Sequence, residues 1–487
     1  MNIDYHALLP EIILSGTILL VLVVDVFLSA RHKWLGMPLS LLGVVAALIA
    51  EITLIGSPTR IVFGGMFVLD NFTVLFQMFF LIVAVVVLAI SLRYFREGGF
   101  YQGEYYFLLL TAFLGCMLMP ASRDLVMLFI SLELVSAPGF LMSAFRKNDV
   151  RSNEAGLKFF LIGVLSTAVM LYGMSIIYGL TGATNLTVIA TKLANISGGP
   201  ETMAFAGILF VVVGFAFKVS AFPFQFWAPD TYEGSPVPVA AFLAVASKAA
   251  GFAGLLQLMF VAFIHQHLFW VPVFATLSIA TMTLGNFVAL KQTQVVRLLA
   301  YSGIAQAGYM LLPFALVTSN AANNQKAFSA AVAYILIYGI MNLGAFSVTV
   351  AVSRTSPQLL ITDFAGLARR SSLLAVGMTT FMISLAGVPP TGGFWAKILI
   401  FGAAISRGGS LGVGLAVVML LNSVVSIYYY FAVPRQMIFE PAVDESRMDV
   451  SWLVTTVVGL ATVALLMVFV FPNPIAHLAQ VSTLVGG

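Results

Sequence analysis

The chain has 487 residues, of which 61% are hydrophobic and only 9% are charged, with a formal net charge of +4. Ordinary soluble domains carry about 25% charged residues, so a soluble fold could not hide this much apolar surface. The composition therefore indicates an all-α polytopic membrane protein. The one cysteine, Cys116, excludes an internal disulfide. Without a cysteine cluster or a glycine-rich nucleotide loop, we expect no iron–sulfur, zinc, dinucleotide or other cofactor site in this chain.

Apolar runs long enough to cross the roughly 30 Å core of a bilayer as helices recur along the whole chain. The first opens with Pro10 and Glu11 and lacks a basic region before it, so we interpret it as a retained helix, not a signal peptide. We predict about fourteen spans, at residues 9–29, 35–55, 71–92, 105–120, 124–145, 156–180, 203–222, 239–263, 269–290, 295–317, 327–352, 373–406, 411–433 and 452–471.

The lysines and arginines predict the orientation of these spans. With the N-terminus outside, the inner loops hold fourteen basic residues and the outer loops five, among them Arg123, while four lie within spans. Inner loops of membrane proteins carry an excess of basic residues, so this split favours both termini outside. The loops are short, and we therefore predict no soluble catalytic domain.

Long apolar stretches contain five notable ionisable residues: Glu133, Lys158, Lys218, Lys248 and Lys397. A charge at the bilayer centre costs about 2.5–3.5 kcal/mol even on a lenient scale, so such residues face a bundle interior and often mark a proton path. Burial disfavours the charged form and an opposite charge restores it. A lysine that gains or loses a carboxylate partner therefore binds or releases a proton, and the pattern predicts a proton relay.

Each of these residues also has a structural interpretation. Lys248 and Glu133 lie near the middle of their spans, where structural ion pairing is the alternative to a relay role. Lys218 precedes a proline-rich interruption and could satisfy freed backbone carbonyls there. Lys158 follows Glu154 by four residues, the spacing of a surface ion pair on a helix.

Other polar residues favour less specialised roles. Asp25 and Glu51 fall near the ends of apolar runs, which predicts interfacial positions. Tyr428–Tyr430 lie near the inner end of a span and resemble an interfacial aromatic belt. His265 and His267 lack acidic or cysteine neighbours, so we predict no metal site there.

Two spans are interrupted by proline, at Lys218–Pro238 and at Leu385–Lys397, and each interruption contains Phe-Trp-Ala and a nearby lysine. Non-helical backbone at membrane depth survives only where protein buries it or where it lines a wet cavity. Paired interruptions indicate two internal repeats with a site near their interface. The span boundaries alone do not place the two interruptions at matching positions.

Three motifs resemble the antiporter-like subunits of respiratory complex I. They are the Lys218–Pro238 segment, the segment Gln294-Val-Val-Arg-Leu-Leu-Ala-Tyr-Ser-Gly-Ile-Ala-Gln-Ala-Gly-Tyr309, and Gly387-Val-Pro-Pro-Thr-Gly-Gly-Phe-Trp-Ala-Lys397. Within that family the chain is most similar to the subunit N branch, which the opening Leu8-Leu-Pro-Glu-Ile-Ile-Leu14 also resembles. It stops soon after its fourteenth span, unlike subunit L, and has Lys397 where subunit M carries a glutamate.

The resemblance implies fourteen helices and two inverted five-helix repeats with helices 7 and 12 broken. It divides the chain into a three-helix segment at 1–104, repeats at 105–263 and 264–433, and a C-terminal loop and helix at 434–487. The matching positions imply Glu133 and Lys218 as an input pair, Lys158 and Lys248 as a central relay, and Lys397 as the output-side lysine.

The resemblance further implies a proton-translocating subunit of NADH-quinone oxidoreductase, driven by quinone reduction in other subunits and holding no redox site itself. The expected partners are other membrane-arm subunits, including subunit M, and membrane lipids, with no nucleic acid, in a bacterial plasma membrane. A subunit of a multisubunit cation/proton antiporter is the main alternative. A non-pumping scaffold and an autonomous permease are further alternatives, and the intramembrane lysines argue against the scaffold.

Overall fold

The computed structural model describes residues 4–98, 103–442, 446–482 and 484, and these residues are predominantly α-helical. One short antiparallel hairpin, β1 (Arg60–Val62) and β2 (Phe67–Leu69), lies in the first predicted outer loop. The helices are α1 (Leu9–Phe27), α2 (Gly36–Ile52), α3 (Asn71–Glu97), α4 (Gly103–Ala121), α5 (Leu125–Ser143), α6 (Val150–Thr181), α7 (Leu186–Leu193), α8 (Gly199–Lys218), α9 (Trp227–Gly234), α10 (Val237–Ala262), α11 (His267–Ala289), α12 (Val295–Leu311), α13 (Ala321–Val352), α14 (Leu367–Arg370), α15 (Ser372–Ala386), α16 (Gly392–Arg407), α17 (Gly409–Phe439), α18 (Trp452–Val470) and α19 (Asn473–Val481).

The structure confirms an all-α polytopic membrane protein. In the described part of the chain, thirteen helices are long and apolar enough to cross a membrane. The remaining predicted span, 373–406, consists of α15 and α16, which are separated by a five-residue interruption. The thirteen long helices and the α15–α16 pair together account for the fourteen predicted crossings.

Several helices begin earlier than their apolar runs. Helices α6 and α13 each have 32 residues, and both start several residues before the predicted spans at 156 and 327. Asp149 caps α6 by accepting a hydrogen bond from the Arg151 amide, and Asn320 caps α13 in the same way. A polar N-cap sets where a helix begins, whereas hydropathy marks only its apolar part.

Contacts between loops agree with the predicted sides of the membrane. At the predicted inner side, Arg93 pairs with Asp449, and Arg354 Nε lies 2.7 Å from Glu97 Oε2. The Arg93 guanidinium holds the pKa of Asp449, which lies in a loop, below its usual range. At the predicted outer side, the Asn71 side chain donates to the Val481 carbonyl at 3.4 Å. Each contact joins segments that the span count places on the same side.

Three helices form the centre of the bundle. The most apolar window of α10 is completely buried, and the windows of α13 and α12 are 94% and 89% buried. The corresponding value is 33% for α6 and for α17, which lie at the periphery. Polar side chains on α10, α12 and α13 therefore face protein rather than lipid, and among them is Lys248 of α10.

The two interruptions satisfy their freed carbonyls in different ways. Helix α8 ends at Lys218, and Trp227 Nε1 donates to the carbonyl of Phe217 in its last turn at 3.1 Å. Helix α15 ends at Ala386, whose carbonyl accepts from Lys397 Nζ at 2.7 Å. The last carbonyls of a helix lack partners within the helix, so each break supplies one. The element order places the broken span fourth among five in both 105–263 and 264–433; the inversion of these segments stays a prediction.

Candidate functional site

Lys218 and Glu133 lie on neighbouring helices but are joined to other partners. Lys218 is 2% exposed, and its Nζ donates to Ser136 Oγ on α5 at 2.9 Å. Glu133 is half-buried one turn before Ser136, and its Oε1 accepts from Thr167 Oγ1 of α6 at 3.0 Å. No salt bridge connects Glu133 with Lys218 among the described residues. The predicted input pair is therefore held apart in this conformation, with a serine hydroxyl beside the lysine.

Lys158 belongs to a chain of charges at the predicted inner ends of three elements. Its Nζ lies 2.7 Å from Glu154 Oε1 and 2.7 Å from Asp230 Oδ2 on α9. Asp230 also pairs with Arg297 of α12 at 2.9 Å, and Arg297 pairs with Glu233 at 2.6 Å. The predicted pair with Glu154 is present. The sequence did not indicate that α9 would bring a second carboxylate, Asp230, to this lysine.

Lys248 occupies the centre of the bundle. It follows a π-helical turn at Leu243–Ser247, is 2% exposed, and donates from Nζ to the Gly303 carbonyl of α12 at 2.7 Å. A Cβ at Gly303 would lie 3.2 Å from Lys248 Nζ and 3.1 Å from Tyr338 Oη, so glycine leaves room for both groups. π-Helical turns are frequent at functional sites because they re-aim side chains.

Lys397 occupies the second interruption. It is 8% exposed, its Nζ donates to Ala386, and the same Nζ lies 4.8 Å from the centroid of the Tyr309 ring. The negative end of the α15 dipole and the face of an aromatic ring both favour a cation. Lys397 thus makes the contact with a freed carbonyl that we considered for Lys218.

Buried hydrogen bonds lead from the Lys248 site to the Lys397 site. Ser302, the residue before Gly303, has its Oγ 2.6 Å from Tyr430 Oη. Gln306 Nε2 donates to Tyr430 Oη at 3.0 Å and to the carbonyl of Leu385, the residue before Ala386, at 2.9 Å. Ser302, Gln306 and Tyr430 are at most 1% exposed. We name this the Ser302–Tyr430–Gln306 network.

Sequence reasoning overlooked this network. Ser302 and Gln306 lie four residues apart in an otherwise apolar helix, a spacing that places both on one face and could have indicated a polar path. Tyr429 and Tyr430 were interpreted as interfacial, which is wrong because they are 2% and 0% exposed. Tyr428, at 75%, alone fits that interpretation.

Two further positions are corrected. Glu51 was predicted to be interfacial, but α1, α3 and α4 pack around α2 and its side chain is 0% exposed. Arg123 lies in an outer loop as predicted but is 2% exposed, and it pairs with Asp70 at 2.6 Å and with Gln257. Asp25 pairs with Lys33 at 2.7 Å near the inner end of α1.

A cavity of about 370 Å³ lies at the predicted inner side. Its lining includes charged and polar groups, among them Tyr94, Arg146, Tyr232, Glu233 and Arg354. Glu233 also belongs to the series of ion pairs that includes Lys158. The cavity therefore reaches the inner ends of α9 and α12.

Helix α13 carries buried polar groups that have no hydrogen-bond partner. Within the described ranges, Tyr338 Oη and both polar atoms of the Asn342 side chain have no hydrogen-bond partner, and both residues are at most 2% exposed. They are four residues apart and so share a face, and Tyr338 lies beside the Lys248 site. Buried polar groups of this kind are the usual sites of ordered water.

The sequence is similar to known proteins over almost its whole length. The profile of the NADH:quinone oxidoreductase/Mrp antiporter transmembrane family matches residues 122–423. NADH-quinone oxidoreductase subunit N of Trichlorobacter lovleyi is 40% identical over 485 residues, which cover 98% of this chain and 97% of that protein. The chain therefore belongs to the NADH:quinone oxidoreductase/Mrp antiporter transmembrane family. Within it, the chain is similar to the subunit N branch.

Solved structures agree with this assignment. A chain of respiratory complex I from Thermus thermophilus with bound aureothin superimposes with a TM-score of 0.80 at 30% identity, covering 98% of this chain and 100% of that one. A chain of the Mrp complex from Dietzia sp. DQ12-45-1b gives a TM-score of 0.87 at 18% identity, covering 99% and 97%. The fold alone therefore does not separate the two classes, whereas the identity to subunit N over nearly the full length favours the first.

Proposed function

We propose that this chain is the proton-translocating subunit N of a bacterial NADH-quinone oxidoreductase, in which quinone reduction in other subunits drives protons through the buried glutamate and lysines. The observation that carries the proposal is the Ser302–Tyr430–Gln306 network. It runs from Ser302, the neighbour of the residue whose carbonyl holds Lys248, to the carbonyl of Leu385, the neighbour of the residue whose carbonyl holds Lys397. The hydroxyl groups of this network can each donate and accept a hydrogen bond, and they lie between the sites of the two buried amines.

The partners of the central lysines support a relay over structural ion pairing. A buried charge that serves only structure is normally paired with an opposite charge. Lys218, Lys248 and Lys397 instead donate to a serine hydroxyl and two backbone carbonyls. An amine with a neutral partner keeps its hydrogen bond in both protonation states, so it can gain and lose a proton without leaving a group unpaired.

The route that we propose begins with Glu133 and Lys218. Their unpaired arrangement, in which Lys218 donates to Ser136, would alternate with a paired arrangement during the cycle. Lys158, which is linked to the inner cavity through Asp230, Arg297 and Glu233, then exchanges protons with Lys248. Water at Tyr338 and Asn342 would complete this step, since the unpartnered atoms there require hydrogen bonds. The final step passes from Lys248 through the Ser302–Tyr430–Gln306 network to Lys397 and the outer side.

The remaining parts of the proposal concern the surroundings of the chain. We propose contacts with other membrane-arm subunits, including the antiporter-like subunit M, and with lipids of a bacterial plasma membrane. We propose that the chain holds no redox cofactor, so that flavin, iron–sulfur and quinone chemistry lie in other subunits. A stoichiometric visible chromophore on the purified chain would contradict this part.

A subunit of a multisubunit cation/proton antiporter is the second candidate, because the Mrp chain shares the fold. Affinity purification of the tagged chain from its native membrane separates the two. We expect flavin and iron–sulfur subunits to co-purify and NADH:quinone activity to be present. A complex that lacks these subunits and exchanges cations for protons without NADH would favour the antiporter.

A further inference from the structure

Three polar side chains meet inside the first three helices, apart from the lysine series. They are Glu11 of α1, Glu51 of α2 and Gln77 of α3, which are 6%, 0% and 0% exposed. Gln77 Nε2 donates to Glu11 Oε1 at 2.5 Å and to the Met117 carbonyl at 3.0 Å. Helices α1 and α2 pack side by side, and Thr17 of α1 contacts Gly43 of α2, a register that places Glu51 near Glu11.

The cluster contains more acceptors than donors. Considering only the described residues, Glu11 Oε2, Gln77 Oε1 and both Glu51 oxygens have no hydrogen-bond partner. The Gln77 amide nitrogen is already committed to Glu11 and Met117. Four buried oxygens thus lie among these helices without a paired positive charge or an available donor, which is costly unless something electropositive is bound.

Other titratable groups on the packed elements do not supply that charge. His6, before α1, bonds the Thr53 hydroxyl at 3.1 Å and lies toward the exposed end of α2. Asp25 pairs with Lys33 near the other end of α1. On α3, Arg93 pairs with Glu97 and Asp449 at the inner side.

The groups on α4 do not supply it either. Tyr105 bonds Ser91 at 2.8 Å, and the neighbouring Tyr106 ring packs against Gly36 at the beginning of α2. Glu104 pairs with Lys147 at the inner side, and Cys116 is a neutral buried thiol beside Met117. The two carboxyl groups must therefore be balanced by a bound cation.

A proton fits this cluster better than a metal ion. Hard metal cations such as Ca²⁺ and Mg²⁺ take about six or more oxygen ligands, and only four unpartnered oxygens are present. A proton needs only one donor oxygen and one acceptor. The Gln77 amide already stabilises a charged Glu11, whereas both oxygens of Glu51 lack any donor.

We propose that Glu51 carries a bound proton and donates it to Glu11, so that the two residues form a proton-binding site outside the lysine series. The Glu51 hydroxyl then satisfies Glu11 Oε2, and the pair carries one negative charge instead of two. This site does not depend on the lysines acting as a relay.

Infrared difference spectroscopy of the assembled complex tests the proposal. A protonated carboxyl absorbs in the C=O stretch region, well separated from carboxylate bands. Subtraction of the Glu51→Gln spectrum from the wild-type spectrum should reveal the loss of one protonated carboxyl per chain. Glu11→Gln should instead remove a carboxylate band and keep the protonated one. Glu104→Gln, an exposed glutamate paired with Lys147, is the control and should remove only a carboxylate band.

The two variants keep the test decisive if one of them fails to assemble. Loss of only a carboxylate band in Glu51→Gln would overturn the proposal, and so would loss of the protonated band in Glu11→Gln. Exchange of Na⁺ for K⁺ should leave the wild-type spectrum unchanged. A protonated band that grows only when Na⁺ is withdrawn would mean that the cluster holds sodium, which also contradicts the proposal.

Discussion

Lys248 Nζ lies 2.7 Å from the carbonyl oxygen of Gly303, and this contact joins the π-helical turn of α10 to α12 at the centre of the bundle. The partner is a neutral carbonyl in a site where the lysine is almost completely buried. The residue before Gly303 begins the Ser302–Tyr430–Gln306 network. Two consecutive residues of α12, Ser302 and Gly303, thus connect the central lysine to the path toward Lys397.

Interruption of this network should uncouple the two lysines. We expect Gln306→Leu and Tyr430→Phe to reduce proton pumping, because each removes a bridging group. The loss of a buried hydrogen bond costs about 1–3 kcal/mol, which corresponds to a roughly 5- to 150-fold slower transfer if it falls entirely on the barrier. Proton pumping by reconstituted complex measures the effect. Tyr428→Phe, on the same helix but exposed, is the control, and equal pumping by all three variants would refute the path.

Glu133 and Lys218 should depend on each other. If they approach in one state of the cycle, removal of either leaves the other unpaired, so Glu133→Gln and Lys218→Met should be non-additive by about 0.5–3 kcal/mol. A double-mutant cycle scored by proton pumping in assembled complex measures this coupling. Strict additivity would show that the separation seen here, with Lys218 on Ser136, is permanent.

Asp230 distinguishes the two interpretations of Lys158. Partly exposed ion pairs contribute about 0–1 kcal/mol to stability, so Asp230→Asn should scarcely change assembly or melting temperature. It should nevertheless slow proton pumping, since Asp230 joins Lys158 to Arg297. Glu154→Gln removes only the helical i,i+4 pair and is the matched control. Unchanged pumping in Asp230→Asn would favour a purely structural role.

The Asp70–Arg123 pair is expected to stabilise the fold. Both side chains are at most 2% exposed, so Asp70→Asn leaves Arg123 charged and buried without its carboxylate. Breaking such a pair costs about 3–5 kcal/mol, and the melting temperature of the purified complex should fall clearly. Asp449→Asn removes an exposed partner of Arg93 and should shift it less. An equal shift in both variants would contradict this argument.

The sequence predicted the class of fold and the burial of Lys218, Lys248 and Lys397, because charges in apolar runs are easily recognised. It could not show which apolar faces meet protein rather than lipid, since both environments favour the same side chains. Tyr430 and Glu51 were misplaced for that reason. The partners of Lys397 and Lys158 depend on where the chain turns after α15 and α8, which proline and glycine indicate only approximately.

The central claim is that Lys248 carries protons, and Lys248→Met in the assembled complex tests it most directly. Methionine keeps most of the apolar stem and removes the desolvation cost of a buried amine, so a lysine with a structural role would tolerate it. Lys291→Met, an exposed loop lysine, is the control. We predict that Lys248→Met assembles and loses most NADH-driven proton pumping in vesicles, while Lys291→Met pumps normally. Normal pumping by an assembled Lys248→Met complex would contradict the proposed relay.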